Sequence, residues 1–195
     1  MEKIFLIGDS IRFGATGSPG YGVYVKKKLE GKAEVYAPNE NCQFAQYTQR
    51  WLQMWAECGP REEIDVVHWN NGLWDVLRLL GDGPFTEINY YGETLKRIYN
   101  TIRKLFPKAK VIFALSTSVK EDWANPDFIR YNSDIELYNK KAAEVLTPLG
   151  VTVNDLYTVT ESFSDDMRSD WVHFGEKASE ILADKVIDCI YSVIK

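Results

Sequence analysis

Short apolar runs alternate along this chain with longer segments in which apolar residues recur every three or four positions. An unbroken apolar run suits a strand covered on both faces, whereas the three-and-four spacing lays a stripe along one face of a helix. The strand pattern occurs at residues 3–8 (KIFLIG), 33–38 (AEVYAP), 64–69 (IDVVHW), 109–116 (AKVIFALS) and 150–155 (GVTVND). The helical pattern is clearest at 86–106, where Ile88, Tyr91, Leu95, Ile98, Ile102 and Leu105 share a face, and it recurs at 44–57, 134–146 and 174–194. Strands separated by helices predict an α/β protein, here a three-layer α/β/α sandwich with a five-stranded parallel sheet, forming one domain over residues 1–195. In such folds ligands bind beyond the carboxyl ends of the strands, so the residues after each strand are the ones to inspect.

Those residues are polar. Asp9 and Ser10 follow the first strand, Asn39, Glu40, Asn41 and Cys42 the second, and NNGLWD (70–75) the third, while SDWVHFG (169–175) precedes the last helix. A serine is a weak nucleophile unless a base takes its proton, and the chain has two histidines. His68 lies within a strand, where a satisfied core histidine is the simpler reading. His173 lies in a turn with Asp170 three residues before it, a spacing that lets the carboxylate hold Nδ1–H and leaves Nε2 to face a hydroxyl. By itself D-x-x-H also describes a capped helix start.

Taken together, GDSIRFG at the first strand end and DWVHFG before the last helix resemble the first and last sequence blocks of the SGNH, or GDSL, hydrolase family. The resemblance covers nearly the whole chain. It implies a flavodoxin-like sheet and a serine esterase or acylhydrolase site without a cofactor or metal, with Ser10 as nucleophile, His173 as general base and acid, and Asp170 orienting His173. The G-x-S-x-G elbow of an α/β-hydrolase is missing, since Arg12 stands where its second glycine would be.

The oxyanion donors depart from the family pattern. Ser10 N–H supplies one, but Trp74 occupies the position of the usual asparagine, and no glycine follows the second strand. Asn70 is expected to offer its amide, two residues before Gly72 and on the same side by strand alternation. Of Asn41 and Cys42, either of which can offer a backbone N–H, Cys42 is the expected donor because it opens the segment leading into the next helix. Asn71, Trp74 and Trp171 are the expected substrate contacts. Tryptophan faces beside polar groups suit sugar rings, although each also reads as ordinary core.

Composition narrows the classes further. With 23 Lys and Arg against 28 Asp and Glu, the net charge of −5 disfavours a nucleic-acid partner, and the short run Lys26–Lys28 reads as a solvated helix face. Cys42, Cys58 and Cys189 form an odd, scattered set without zinc spacing, which fits reduced thiols. No apolar run is long enough to span a bilayer and no leader pattern is visible, so a cytoplasmic protein without a membrane partner is expected. The glycine-rich stretch 14–22 lacks the P-loop ending and is expected to form a flexible rim over the site. The expected function is hydrolysis of small acyl esters, foremost O-acetyl groups on a carbohydrate. A lipid-directed lysophospholipase or thioesterase, or a flavodoxin-like binding module, stands as the alternative.

Overall fold

The computed structural model describes residues 1–194. Its main sheet contains β1 (Glu2–Ile7), β2 (Ala33–Tyr36), β3 (Val66–Trp69), β4 (Lys110–Ala114) and β5 (Thr152–Asn154). All neighbours are parallel, in the order β2-β1-β3-β4-β5. That is the flavodoxin-like order, with its switch point between β1 and β3. Ile4 to Ile7 and Val66 to Trp69 are buried without alternation, as a sheet covered on both faces demands.

The helices are α1 (Ser10–Phe13), α2 (Tyr21–Lys28), α3 (Ala45–Trp55), α4 (Ile88–Leu105), α5 (Asn132–Leu146), α6 (Leu156–Glu161) and α7 (Glu176–Ile194). One layer contains α2 packed on α7, and the other contains α3, α4 and α5 in succession. The stripe on α4 buries Tyr91, Leu95, Ile98 and Ile102, and Glu87 caps its start by accepting from the N–H groups of Asn89 and Tyr90. Lys26 and Lys27 are exposed and Lys28 pairs with Asp184 at 2.6 Å, a solvated face as expected. No helix among the described residues is long and apolar enough to cross a membrane.

Alternation and periodicity placed the five strands and four longest helices to within a few residues. They missed α1, α6 and two small antiparallel ribbons, one pairing 14–15 with 18–19 and the other 78–79 with 128–129. Elements of two to six residues bury too little to leave a periodic signature.

The glycine-rich stretch is not a loose rim. Ser18 Oγ donates to Phe174 O at 2.6 Å and Ser179 Oγ donates to Pro19 O at 2.6 Å, so the ribbon is fastened to the start of α7. Gly20 lies so close to α1 that a Cβ there would fall 2.2 Å from Arg12 O. Backbone on both sides leaves nothing soft to yield. Gly20→Ala is therefore expected to lower stability by roughly 1–3 kcal/mol in urea unfolding, whereas Gly83→Ala, where a Cβ meets nothing within 4 Å, is expected to stay within about 0.5 kcal/mol of the parent.

Candidate active site

The first strand ends and a short helix begins immediately, so Ser10 sits at the first position of α1. Asp9 caps this helix, its Oδ1 accepting from Ile11 N–H at 2.9 Å while its backbone carbonyl accepts from Arg12 and Phe13. The cap fixes the turn that presents Ser10 at the sheet edge, with its own N–H free of any acceptor among the described residues. Asp9 is fully buried, its Oδ2 has no partner, and burial raises its pKa above the ordinary carboxyl value against the opposing pull of Ile11 N–H and Arg130.

The loop before α7 brings the other two groups. Asp170 Oδ1 accepts from the N–H of Val172 and of His173, both at 2.7 Å, and Oδ2 lies 2.7 Å from His173 Nδ1. One carboxylate thus closes the turn and orients the ring. Burial pushes the Asp170 carboxyl up, but these donors outweigh it and hold its pKa below the ordinary value. His173 Nε2 then lies 2.8 Å from Ser10 Oγ, across 163 residues of sequence. The loop is braced by Ser169 N–H donating to His173 O at 3.0 Å, by Gly175 N–H donating to Met167 O at 2.8 Å, and by Phe174 packed between Phe163 and Arg168. Ser10, Asp170 and His173, nominated from the sequence, are therefore brought together in a hydrogen-bonded chain.

The remaining expectations divide. Cys42 N–H donates to Gly8 O at 3.1 Å and the residue is fully buried, which corrects the expectation of an oxyanion donor there. Nearby, Gln43 N–H goes to Asn41 Oδ1 and Ala45 N–H to the Asp75 carboxylate, leaving Phe44 N–H, at the start of α3, without an acceptor among the described residues. Asn70 gives one amide hydrogen to Ala114 O at 2.8 Å and retains the second.

Asn71 is corrected as a substrate contact. It is fully buried, its Oδ1 accepts from Trp69 Nε1 at 2.7 Å, and its Nδ2 donates to Gln43 O and Thr48 Oγ1, each at 2.9 Å. Both amide ends serve the interior. His68 is also fully buried, with Nε2 3.1 Å from Asn154 Nδ2, and burial pulls its pKa down to about 3, so the ring is neutral. It takes no part in the chain of Ser10, His173 and Asp170.

Trp74 and Trp171 are half-buried and face a residue that the sequence reading passed over. Arg130 lies under Trp74, Phe128 and Trp171, its Cζ 5.6, 5.6 and 5.3 Å from the ring centroids, and its Nε donates to Leu73 O. The negative charges of Asp9 and Asp170 act on it. The signal available beforehand was weak, an arginine beside a tyrosine in IRYNSD, far in sequence from every motif.

Replacing Asn71 with alanine leaves the buried Trp69 N–H, Gln43 carbonyl and Thr48 hydroxyl with fewer partners. Asn71→Ala is expected to lower stability by roughly 2–4 kcal/mol, read as a shift in the urea midpoint at constant slope.

Comparison with known proteins follows the same lines. The structure aligns with a lipase/acylhydrolase from Enterococcus faecalis at a TM-score of 0.78 and 21% identity, covering 100% of this chain and 98% of that one. It aligns with the acetyl xylan esterase AlAXEase at 0.74 and 17%, covering 96% and 99%, and with a carbohydrate esterase family 3 protein from Talaromyces cellulolyticus at 0.71 and 19%, covering 100% and 98%. At these identities the likeness is one of fold. A sequence comparison with curated proteins finds no match. The model of the GDSL-like lipase/acylhydrolase family, however, matches residues 6–181, a span that holds Ser10, Asp170 and His173, and the chain belongs to that family.

Proposed function

We propose that this protein is a serine esterase that removes small acyl groups, most characteristically O-acetyl groups from a carbohydrate. The observation that carries this reading is the 2.8 Å contact between Ser10 Oγ and His173 Nε2, with Nδ1 held 2.7 Å from Asp170. In this arrangement Nε2 is the acceptor nitrogen, and it takes the Ser10 proton as Oγ adds to the ester carbonyl. The imidazolium so formed is stabilised by Asp170 and returns its proton to the leaving alcohol. Water, deprotonated by the same nitrogen, then releases the acid from Ser10.

Charge on the former carbonyl oxygen requires fixed donors. Ser10 N–H and the second Asn70 amide hydrogen are assigned that work, and the uncommitted Phe44 N–H replaces Cys42 as the third candidate. Two of the folds matched are named as carbohydrate or acetyl xylan esterases, and the half-buried tryptophans Trp74 and Trp171, each with one face on Arg130, keep aromatic surface for a sugar ring. These support the acetyl-carbohydrate reading, while the lipase descriptions of the family and of other matched folds keep lipid-directed hydrolysis as the second reading.

On 4-nitrophenyl acetate, Ser10→Ala and His173→Ala are each expected to reduce kcat by roughly 10⁴-fold or more, and Asp170→Asn by about 10⁴-fold, with unchanged folding by circular dichroism. Full activity in Ser10→Ala would refute the nucleophile assignment. Across 4-nitrophenyl esters of increasing length, kcat/KM is expected to fall from acetate to octanoate; the opposite order would transfer the protein to lipid-directed hydrolysis.

A further inference from the structure

Arg130 is 4% exposed, and a guanidinium so far from water ordinarily has its five N–H groups matched to acceptors. Here only Nε is matched, to Leu73 O. Neither terminal nitrogen has an acceptor among the described residues, and neither is sealed from solvent, so the small exposed part of Arg130 includes its open donors. The neighbouring acids do not occupy them. Asp170 gives both oxygens to Val172 and His173, and Asp9 Oδ1 takes Ile11 N–H while Oδ2 takes nothing. Leu73 O and the faces of Trp74, Phe128 and Trp171 hold the guanidinium in place without using its terminal nitrogens.

The acids Asp9 and Asp170 lie within electrostatic reach of Arg130, but the nearby cations do not share its role. Arg12 is committed to carbonyls, Arg78 to Asp134 at 2.8 Å, Lys120 to Asp165 at 2.8 Å, and Arg168 to Ser118 and Thr160. A single planar cation with two parallel donors matches a monoanionic carboxylate; a phosphate monoester would call for more positive charge.

From the open terminal donors of Arg130, framed by Trp74 and by Trp171, which adjoins Asp170 in the chain, we infer that the ester substrate carries a carboxylate and that Arg130 is the residue that selects it. This inference rests on the serine-esterase reading of the site. For a saccharide, it places the ester on an acidic sugar unit. Arg130 then acts in binding: the carboxylate docks on its terminal nitrogens while the sugar ring lies against indole, and the acyl group is delivered to Ser10.

The test uses matched acetyl esters, the 2-, 3- and 4-acetoxybenzoates and their methyl esters, with acetate release as the readout. In the parent protein at least one acid is expected to exceed its methyl ester in kcat/KM. In Arg130→Met that acid-to-ester ratio is expected to fall roughly 10- to 100-fold, mainly through KM, the range one charge-assisted pair supplies. Arg130→Lys is expected to restore part of the ratio. A ratio that stays the same in Arg130→Met would overturn the inference and leave Arg130 as a strut for Trp74 and Trp171.

Should Arg130→Met fail to fold, inhibition of the parent by benzoate and by its neutral analogue benzamide decides the matter. Benzoate is expected to bind at least tenfold more tightly, and equal inhibition overturns the inference. Ser10→Ala run beside these separates the two levels. Loss of all turnover in Ser10→Ala with an unaltered acid-to-ester ratio in Arg130→Met sinks only the carboxylate inference, while full turnover in Ser10→Ala sinks the esterase reading itself.

Discussion

A guanidinium withdrawn from water must find acceptors, and the terminal nitrogens of Arg12, though not its Nε, find them where the end of β1 meets the loop after β2. Its terminal nitrogens donate to Pro38 O at 2.9 Å, Glu40 O at 2.5 Å and Gly8 O at 3.3 Å, and touch Cys42 Sγ at 3.4 Å. These contacts tie the end of β1 and the short helix α1 to the loop after β2, the place where Ser10 must be held still. Three of the five glycines of GDSIRFGATGSPGYG, Gly8, Gly20 and Gly22, follow from the same residue, while Gly14 and Gly17 serve positive φ angles of 107° and 76°. A Cβ at Gly8 would lie 2.8 Å from Arg12 Cβ, and one at Gly22 would lie 2.8 Å from Arg12 O. The stretch is rich in glycine partly because the chain wraps closely around one buried arginine and partly because its turn needs left-handed backbone.

The opposite side of the site is held by a carboxylate instead. Asp170 closes its own turn and orients His173 with the same two oxygens, so a local motif four residues long does both jobs. A second acid works from the interior: Asp75, fully buried, accepts from Ala45 N–H and fixes the start of α3 beside the loop after β3. Burial raises its pKa to about 7 despite these donors. Around this edge of a parallel sheet the strand ends expose backbone groups that no neighbouring strand can satisfy, and buried polar side chains answer them. Asn139 does so for Ser116 through both of its amide atoms, and Asn71 does so for Gln43.

That demand explains where the sequence reading went astray. Asn71 and Cys42 stand at strand ends, where polar groups collect for catalysis and for structural satisfaction alike, and residue type does not separate the two. Only the partners do: Asn71 is fully engaged, and Cys42 N–H reaches back to Gly8. Arg130 was invisible for the converse reason. Nothing local marks it, because its surroundings come from Leu73, Trp74, Phe128 and Trp171, three separate stretches of chain.

The alternation of apolar runs and helical stripes by itself determined the five parallel strands, the longest helices and the layered architecture, because burial on both faces of a sheet and on one face of a helix is written directly as a period in the sequence. Ser10, Asp170 and His173 are nominated by local motifs, GDSIRFG just beyond the first strand and DWVHFG before the last helix, together with their resemblance to the GDSL family. Tertiary structure alone decided which strand-end groups remain free. Whether an N–H, an amide or a guanidinium is available depends on acceptors supplied from distant segments, and no local pattern records which of them have already been taken.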